Sequence, residues 1–166
     1  MMKNFIPLAF CICFPAFAAT PITTTQLMEQ INKQGAKAVI MDLYKNDETR
    51  WMYVLEKIGQ GSNEWLHIAA QLAPSSDADS AESLATAAAL AIPHNPAGVL
   101  SILQNDVLPL SPENVCSLPF YDITKPKLNQ YIVDSIQALY KVPNSKACID
   151  TMVNTIGQSN GFVEDN

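Results

Sequence analysis

Charge is scarce in this sequence. Asp, Glu, Lys and Arg make up 16% of its 166 residues, against the usual quarter or so, while hydrophobic residues reach 48%. Disorder needs the opposite balance, so a mainly disordered chain is excluded. Histidine is scarcer still: His67 and His94 are the two present, which narrows acid–base and metal chemistry from the start. Phosphate-binding glycine loops are missing, because Gly59-Gln60-Gly61 lacks a following Lys-Ser/Thr and reads as a helix terminator. Two-residue alternation is missing over any useful length, so no sheet is expected. After the first 18 residues no segment is apolar enough to span a bilayer, which takes about 20 apolar residues. Cations are outnumbered, 10 Lys and Arg against 16 Asp and Glu, for a net charge of −6. That excess argues against nucleic acid or anionic lipid as a partner.

What is present begins with an export signal. Lys3 supplies a positive start, Phe5 to Phe14 an apolar run, and Ala16-Phe17-Ala18 the small-x-small pattern before a cleavage site. Cleavage is expected after Ala18, or else after Ala19. A lipoprotein reading is poor, since Phe10 precedes Cys11 and Ile12 precedes Cys13 where a small residue is required. An N-terminal core helix is disfavoured by Pro7 and Pro15. Removal of the leader leaves 148 residues and, without Lys3, a net charge of −7. That length is enough for one domain burying roughly two-thirds of its unfolded surface. The expected location is periplasmic or secreted.

Cleavage also removes Cys11 and Cys13, so Cys116 and Cys148 remain and are expected to pair. Chain entropy rates the closure of about 33 residues at roughly 3–4 kcal/mol. No C-x-x-C spacing supports a redox pair, and two cysteines with two distant histidines do not form a zinc set.

Apolar spacing predicts helix almost throughout. Thr23 with Gln26 forms a capping box ahead of Leu27 and Ile31, and Gly35 ends that helix. A short helix carries Val39, Ile40 and Leu43. Asp47 is expected to cap the next, with Trp51, Val54, Leu55 and Ile58 on its face and Gly59 and Gly61 at its close. Trp65, Ile68, Ala69 and Leu72 mark a fourth, stopped by Pro74. Asp79 with Glu82 is expected as the capping box of an alanine-rich helix through Leu84, Ala88 and Ala91. Asn95-Pro96 and Ser111-Pro112 each place a cap before proline at the first helical position. Pro119 to Pro126 reads as a connector. Leu128, Tyr131, Ile132, Ser135, Ile136, Leu139 and Tyr140 then fall on one stripe. A last helix starts at Asn144 or Ser145, carries Cys148, Met152, Val153 and Ile156, and closes at Gly157. Trp51 and Trp65 are expected in the core.

The fold class is therefore all-α: a compact bundle or short α-solenoid-like stack of eight to nine short helices with one disulfide. Residues 19–157 are read as a single domain and 158–166 as a flexible tail. The solenoid alternative rests on one internal echo, in which residues 62–73 and 80–91 match at seven of twelve positions.

Chemistry is harder to find. No nucleophile is read in a recognisable elbow such as G-x-S-x-G. His67 lies at the flank of an apolar face and His94 in a Pro-His-Asn-Pro turn. Asp77, Asp79 and Glu82 invite a calcium loop, but counting from Asp77 puts Glu82 where glycine is needed and Ala88 where glutamate is needed. Nothing selects two of the sixteen acids as a glycosidase pair. No catalytic residue, cofactor or metal is assigned.

The expectation is an exported protein-binding or inhibitory protein, of which an immunity protein neutralising a secreted toxin or cell-wall hydrolase is one form. Its partner would be another protein, basic in character, steered by acidic loops. Asp77, Asp79, Glu82, His94 and Asn95 are the candidate contacts, with the Lys45–Arg50 loop beside them. The alternatives are an assembly or scaffold subunit that self-associates, as a homodimer for instance, and an enzyme whose site follows no motif.

Overall fold

Residues 21–158 are described by a computed structural model of the chain. The expected leader and all but the first residue of the expected tail lie outside them. Among the described residues there are nine α-helices and no strand. They are α1 (Thr24–Gln34), α2 (Ala36–Leu43), α3 (Thr49–Gly59), α4 (Asn63–Leu72), α5 (Ala78–Leu90), α6 (Pro96–Ile102), α7 (Pro112–Val115), α8 (Lys125–Leu139) and α9 (Lys146–Gln158). Single 3₁₀ turns occur at Ala73–Ser75 and Leu108–Leu110.

Helix boundaries follow local chemistry. Thr23 Oγ1 accepts from Gln26 N at 3.2 Å while Thr23 N donates to Gln26 Oε1 at 3.0 Å, the reciprocal box expected for α1. Gly35, at φ +86°, turns the chain directly from α1 into α2, a conformation costly for any residue with a Cβ. Asn95 and Ser111 cap α6 and α7 as their Pro-containing signatures imply.

Four expectations about boundaries fail. Asp47 does not cap α3: Asn46, Asp47 and Glu48 are all left-handed, with φ of 57°, 57° and 61°, so Asp47 lacks the extended backbone that aims a cap side chain at the helix. The α5 box is formed by Asp77 and Ser80, not by Asp79 and Glu82. Asp77 Oδ1 accepts from Ser80 N at 3.0 Å and Asp77 N donates to Ser80 Oγ at 2.9 Å. Starting α5 two residues early puts Ser80 in the interior and leaves Asp79 in the first helical turn. Finally, α8 begins at Lys125, before Pro126, and Gly157 lies within α9; Gly59, the last residue of α3, and Gly61, at φ +79°, stand at the close of α3 as expected.

One core runs through the bundle. Its largest fully buried side chains include Trp51, Leu27, Leu43, Ile58, Leu66, Leu84, Leu139 and Met152. Trp65 is half-buried, edge-on to Tyr53, and Tyr140, expected on the α8 stripe, is 73% exposed. Helix α4 is the hub and packs on α1, α2, α3, α5 and α6. In a solenoid each unit touches only its neighbours; here α1 meets α4 across two intervening elements, so the bundle is the architecture adopted. The echo does not mark equivalent units either. Ser62 caps α4 from outside, whereas the matching Ser80 lies inside α5.

Cys116 and Cys148 form the expected disulfide, with their Cα atoms 5.3 Å apart. It ties the end of α7 to the first turn of α9. No described helix is long and apolar enough to cross a membrane.

Candidate functional site

Helix α5 is rich in alanine because most of one side lies inside: Leu84, Ala85, Ala87, Ala88 and Ala89 are all buried. Its other side, spaced at helical intervals, presents Glu82, Ser83, Thr86 and Leu90. Helix α3 packs alongside and turns Met52, Leu55, Glu56 and Gly59 toward the same space. Between them lies a groove of about 710 Å³, closed at its rim by His94, Tyr121 and Asp122. Met52 is 59% exposed, Leu90 42% and Tyr121 79%, so apolar side chains stand in solvent here instead of being packed away.

The rim is held from below. Thr86 Oγ1 donates to the Pro119 carbonyl at 2.7 Å, fastening the connector that carries Tyr121 to α5. Phe120 packs edge-on to Tyr131 with ring centroids 4.7 Å apart. The Tyr131 hydroxyl donates to the Ala89 carbonyl at 2.9 Å. Burial pushes the Tyr131 phenol well above its ordinary pKa, so it stays a donor across the working pH range.

The groove is one-sided electrostatically. Glu56, Glu82 and Asp122 line it, and among the described residues no Lys or Arg does. Lys57, one residue from Glu56, does not line it, but its Nζ donates to Oε1 of the groove residue Gln60 at 3.2 Å and lies 5.5 Å from the Tyr53 ring centroid.

Of the candidate contacts, Glu82 and His94 meet in this groove. Asp77 caps α5 and lines a separate hollow at its start. Ser80 holds the Asp77 carboxyl below the usual range through its hydroxyl and its backbone N–H. Asp79 accepts the Tyr44 hydroxyl at 2.8 Å; burial of that phenol and this bond both raise its pKa. Asn95 is committed to the fold, with Nδ2 donating to the Gly61 carbonyl and Asn63 Oδ1, both at 2.8 Å, and Oδ1 accepting from Gly98 N at 2.9 Å. In the Lys45–Arg50 loop both cations bind Asp42, at 3.0 and 2.8 Å, and these bonds, Lys45 first, lower its pKa.

Helical spacing alone did not single out Met52, Leu90 and Tyr121, and it placed Leu55 on a core face; Leu55 is half-buried and lines the groove. Against the expectation that no such motif is present, the string Gly157-Gln158-Ser159-Asn160-Gly161 matches G-x-S-x-G by letter. A nucleophile elbow needs a strand leading into the serine, and α9 leads into this one; its last three residues lie outside the described range. His67 is exposed on α4 in a different hollow from His94. No group of three or more His, Cys, Asp or Glu within metal-binding reach occurs among the described residues.

Comparison with protein-family models, with curated proteins and with solved structures finds no match to this chain.

Proposed function

We propose that this is an exported protein that works by binding another protein, in the manner of an inhibitory or immunity protein that occupies a secreted toxin or cell-wall hydrolase. The observation that carries this reading is the groove between α3 and α5, where Met52, Leu90 and Tyr121 are left exposed above a rigid, disulfide-tied bundle. Exposed apolar side chains gathered in one concavity are the usual mark of an interaction surface. Export is supported by the Lys3-led apolar leader and by a disulfide, which persists in oxidising compartments. An acidic rim suits secreted enzymes that act on anionic cell surfaces and are themselves basic.

Self-association through the same groove is less favoured, because two copies would bring like charges together at Glu56, Glu82 and Asp122. The test is co-purification from the compartment where the protein accumulates. Tagged wild-type protein retains one stoichiometric protein partner, and a Met52→Asp, Leu90→Asp double variant of unchanged fold does not. Equal retention by both proteins, or by neither, contradicts the proposal.

A further inference from the structure

Asp42, Asp77 and Asp79 spend their carboxylates within the fold, on cations, a helix cap and a tyrosine hydroxyl. Glu82 and Asp122 do not: among the described residues neither side chain has a hydrogen bond or an ion pair. Both are exposed, and both line the α3–α5 groove, Glu82 from α5 and Asp122 from the connector. Tyr121 precedes Asp122 and is 79% exposed. Glu82 and Tyr121 also stand together on the wall that the groove shares with the neighbouring hollow. Unpaired carboxylates from two elements beside an uncovered aromatic ring offer what arginine uses at once. Its planar guanidinium stacks on the ring while its edge donates to carboxylate oxygens in pairs. A lysine ammonium is a more strongly hydrated point charge and gains less from the ring.

The rest of the groove is apolar and short. Met52, Leu55 and Leu90 line it, and α3 and α5 close up at Gly59, where a Cβ would stand 3.4 Å from that of Leu90. The connector bounds it, fastened to α5 where Thr86 holds the Pro119 carbonyl. The hollow over Ala78 and Ala81 is a separate one. At about 710 Å³ the groove has the size of a site for a drug-sized ligand, which is room for two or three side chains and not for a helix.

We infer that the groove receives one exposed arginine of the partner protein together with a large apolar side chain one or two residues from it. The guanidinium lies against the Tyr121 ring and donates to Glu82 and Asp122. The apolar side chain covers Met52 and Leu90 and keeps water from the ion pair, which strengthens it. This rests on the protein-binding reading above and specifies what the partner presents. A second copy of this chain does not fit, because Arg50 is its sole arginine and is held on Asp42 at 2.8 Å.

The probe is a short cyclic peptide carrying Leu-Arg at its turn, titrated into ¹⁵N-labelled protein beside counterparts with citrulline or lysine in place of arginine. The arginine peptide is expected to shift amides of α3, α5 and residues 121–122. Citrulline, which keeps the shape and loses the charge, should weaken binding about tenfold or more. So should a Glu82→Lys, Asp122→Lys variant, whose substituted residues are exposed and outside the core. Tyr121→Ala should weaken the arginine peptide more than the lysine one. The inference is overturned if the citrulline peptide binds equally well, or if Tyr121→Ala affects the arginine and lysine peptides alike. Absence of binding at millimolar arginine peptide, or shifts gathered around Val133 and Val153 instead, also overturns it. A natural partner whose retention survives both the charge reversal and Tyr121→Ala does the same while sparing the protein-binding reading. Charge-dependent peptide binding at the groove without any co-purifying partner overturns that reading and leaves the preference for arginine standing.

Discussion

Two helices of this bundle are close in sequence and opposite in situation. Residues 62–73, which cap and build α4, match residues 80–91 of α5 at seven of twelve positions. Yet Leu72 is fully buried and its counterpart Leu90 is 42% exposed. Helix α4 is wrapped by five other helices, whereas α5 packs on one side and turns Glu82, Ser83, Thr86 and Leu90 to the groove beside α3. The shared letters code for a helix with a small, close-packing face. Whether a leucine on that helix becomes core or contact surface is decided by how many neighbours arrive, and those come from elsewhere in the chain.

The sharpest way to break this comparison is to truncate the matching leucines. Leu72→Ala is expected to cost about 3–5 kcal/mol in urea unfolding, because it opens a cavity in a closed environment. Leu90→Ala is expected to cost well under half of that, since much of its side chain is already in water. Equal costs would mean that the α5 face is closed in solution.

Next in size is the disulfide. Replacing Cys116 and Cys148 by serine is expected to lower stability by about 3–4 kcal/mol, chiefly by freeing the unfolded chain. Because α7 packs on both α9 and α5, native-state hydrogen exchange should show the loss first around α7 and α9, with α4 protected longest. Uniform loss across α4 and α7 would contradict that division.

A smaller effect is expected from Tyr131→Phe, which removes the hydroxyl held on the Ala89 carbonyl. That carbonyl keeps its bond from Ile92 N at 2.9 Å, so the expected cost is about 1 kcal/mol by chemical denaturation. A cost above about 3 kcal/mol would show that the tyrosine does more than pin the connector to α5.

The smallest effect separates the two helices by pH. Helix α4 is capped by the Ser62 hydroxyl, which does not titrate, and α5 by the Asp77 carboxylate. The folded-state pKa of Asp77 lies below its ordinary 3.8. The cap therefore contributes its full stability above that value and loses it as pH falls through the lowered one. Amide protection in the first turn of α5 should weaken below about pH 4 relative to that of α4, and Asp77→Asn should remove the difference.

Much of this fold is legible residue by residue. Thr23, Asn95 and Ser111 announce helix starts because each cap acts through a neighbour three positions on, a distance the sequence displays directly. The disulfide was readable because the expected loss of Cys11 and Cys13 with a leader leaves Cys116 and Cys148 one pairing. The failures share a cause. Asp77, Asp79 and Glu82 offer more than one capping register, and burial of Ser80 selects among them. Asp47 loses its capping role to a left-handed turn that α2 and α3 impose. The groove was legible only in part: Glu82 and His94 could be chosen as polar loop and helix-end residues, but Met52, Leu90 and Tyr121 look like ordinary apolar residues until the packing around them is known.

Photo-cross-linking in the compartment where the protein accumulates tests the central claim most directly. A photoreactive amino acid is placed at position 90, in the α3–α5 groove, or at position 153, where the native valine is 50% exposed outside it. The account predicts one discrete protein adduct from position 90, diminished by Glu82→Lys with Asp122→Lys, and none from position 153. Adducts from position 153 alone, or from both positions with equal yield and no response to charge reversal, would contradict it.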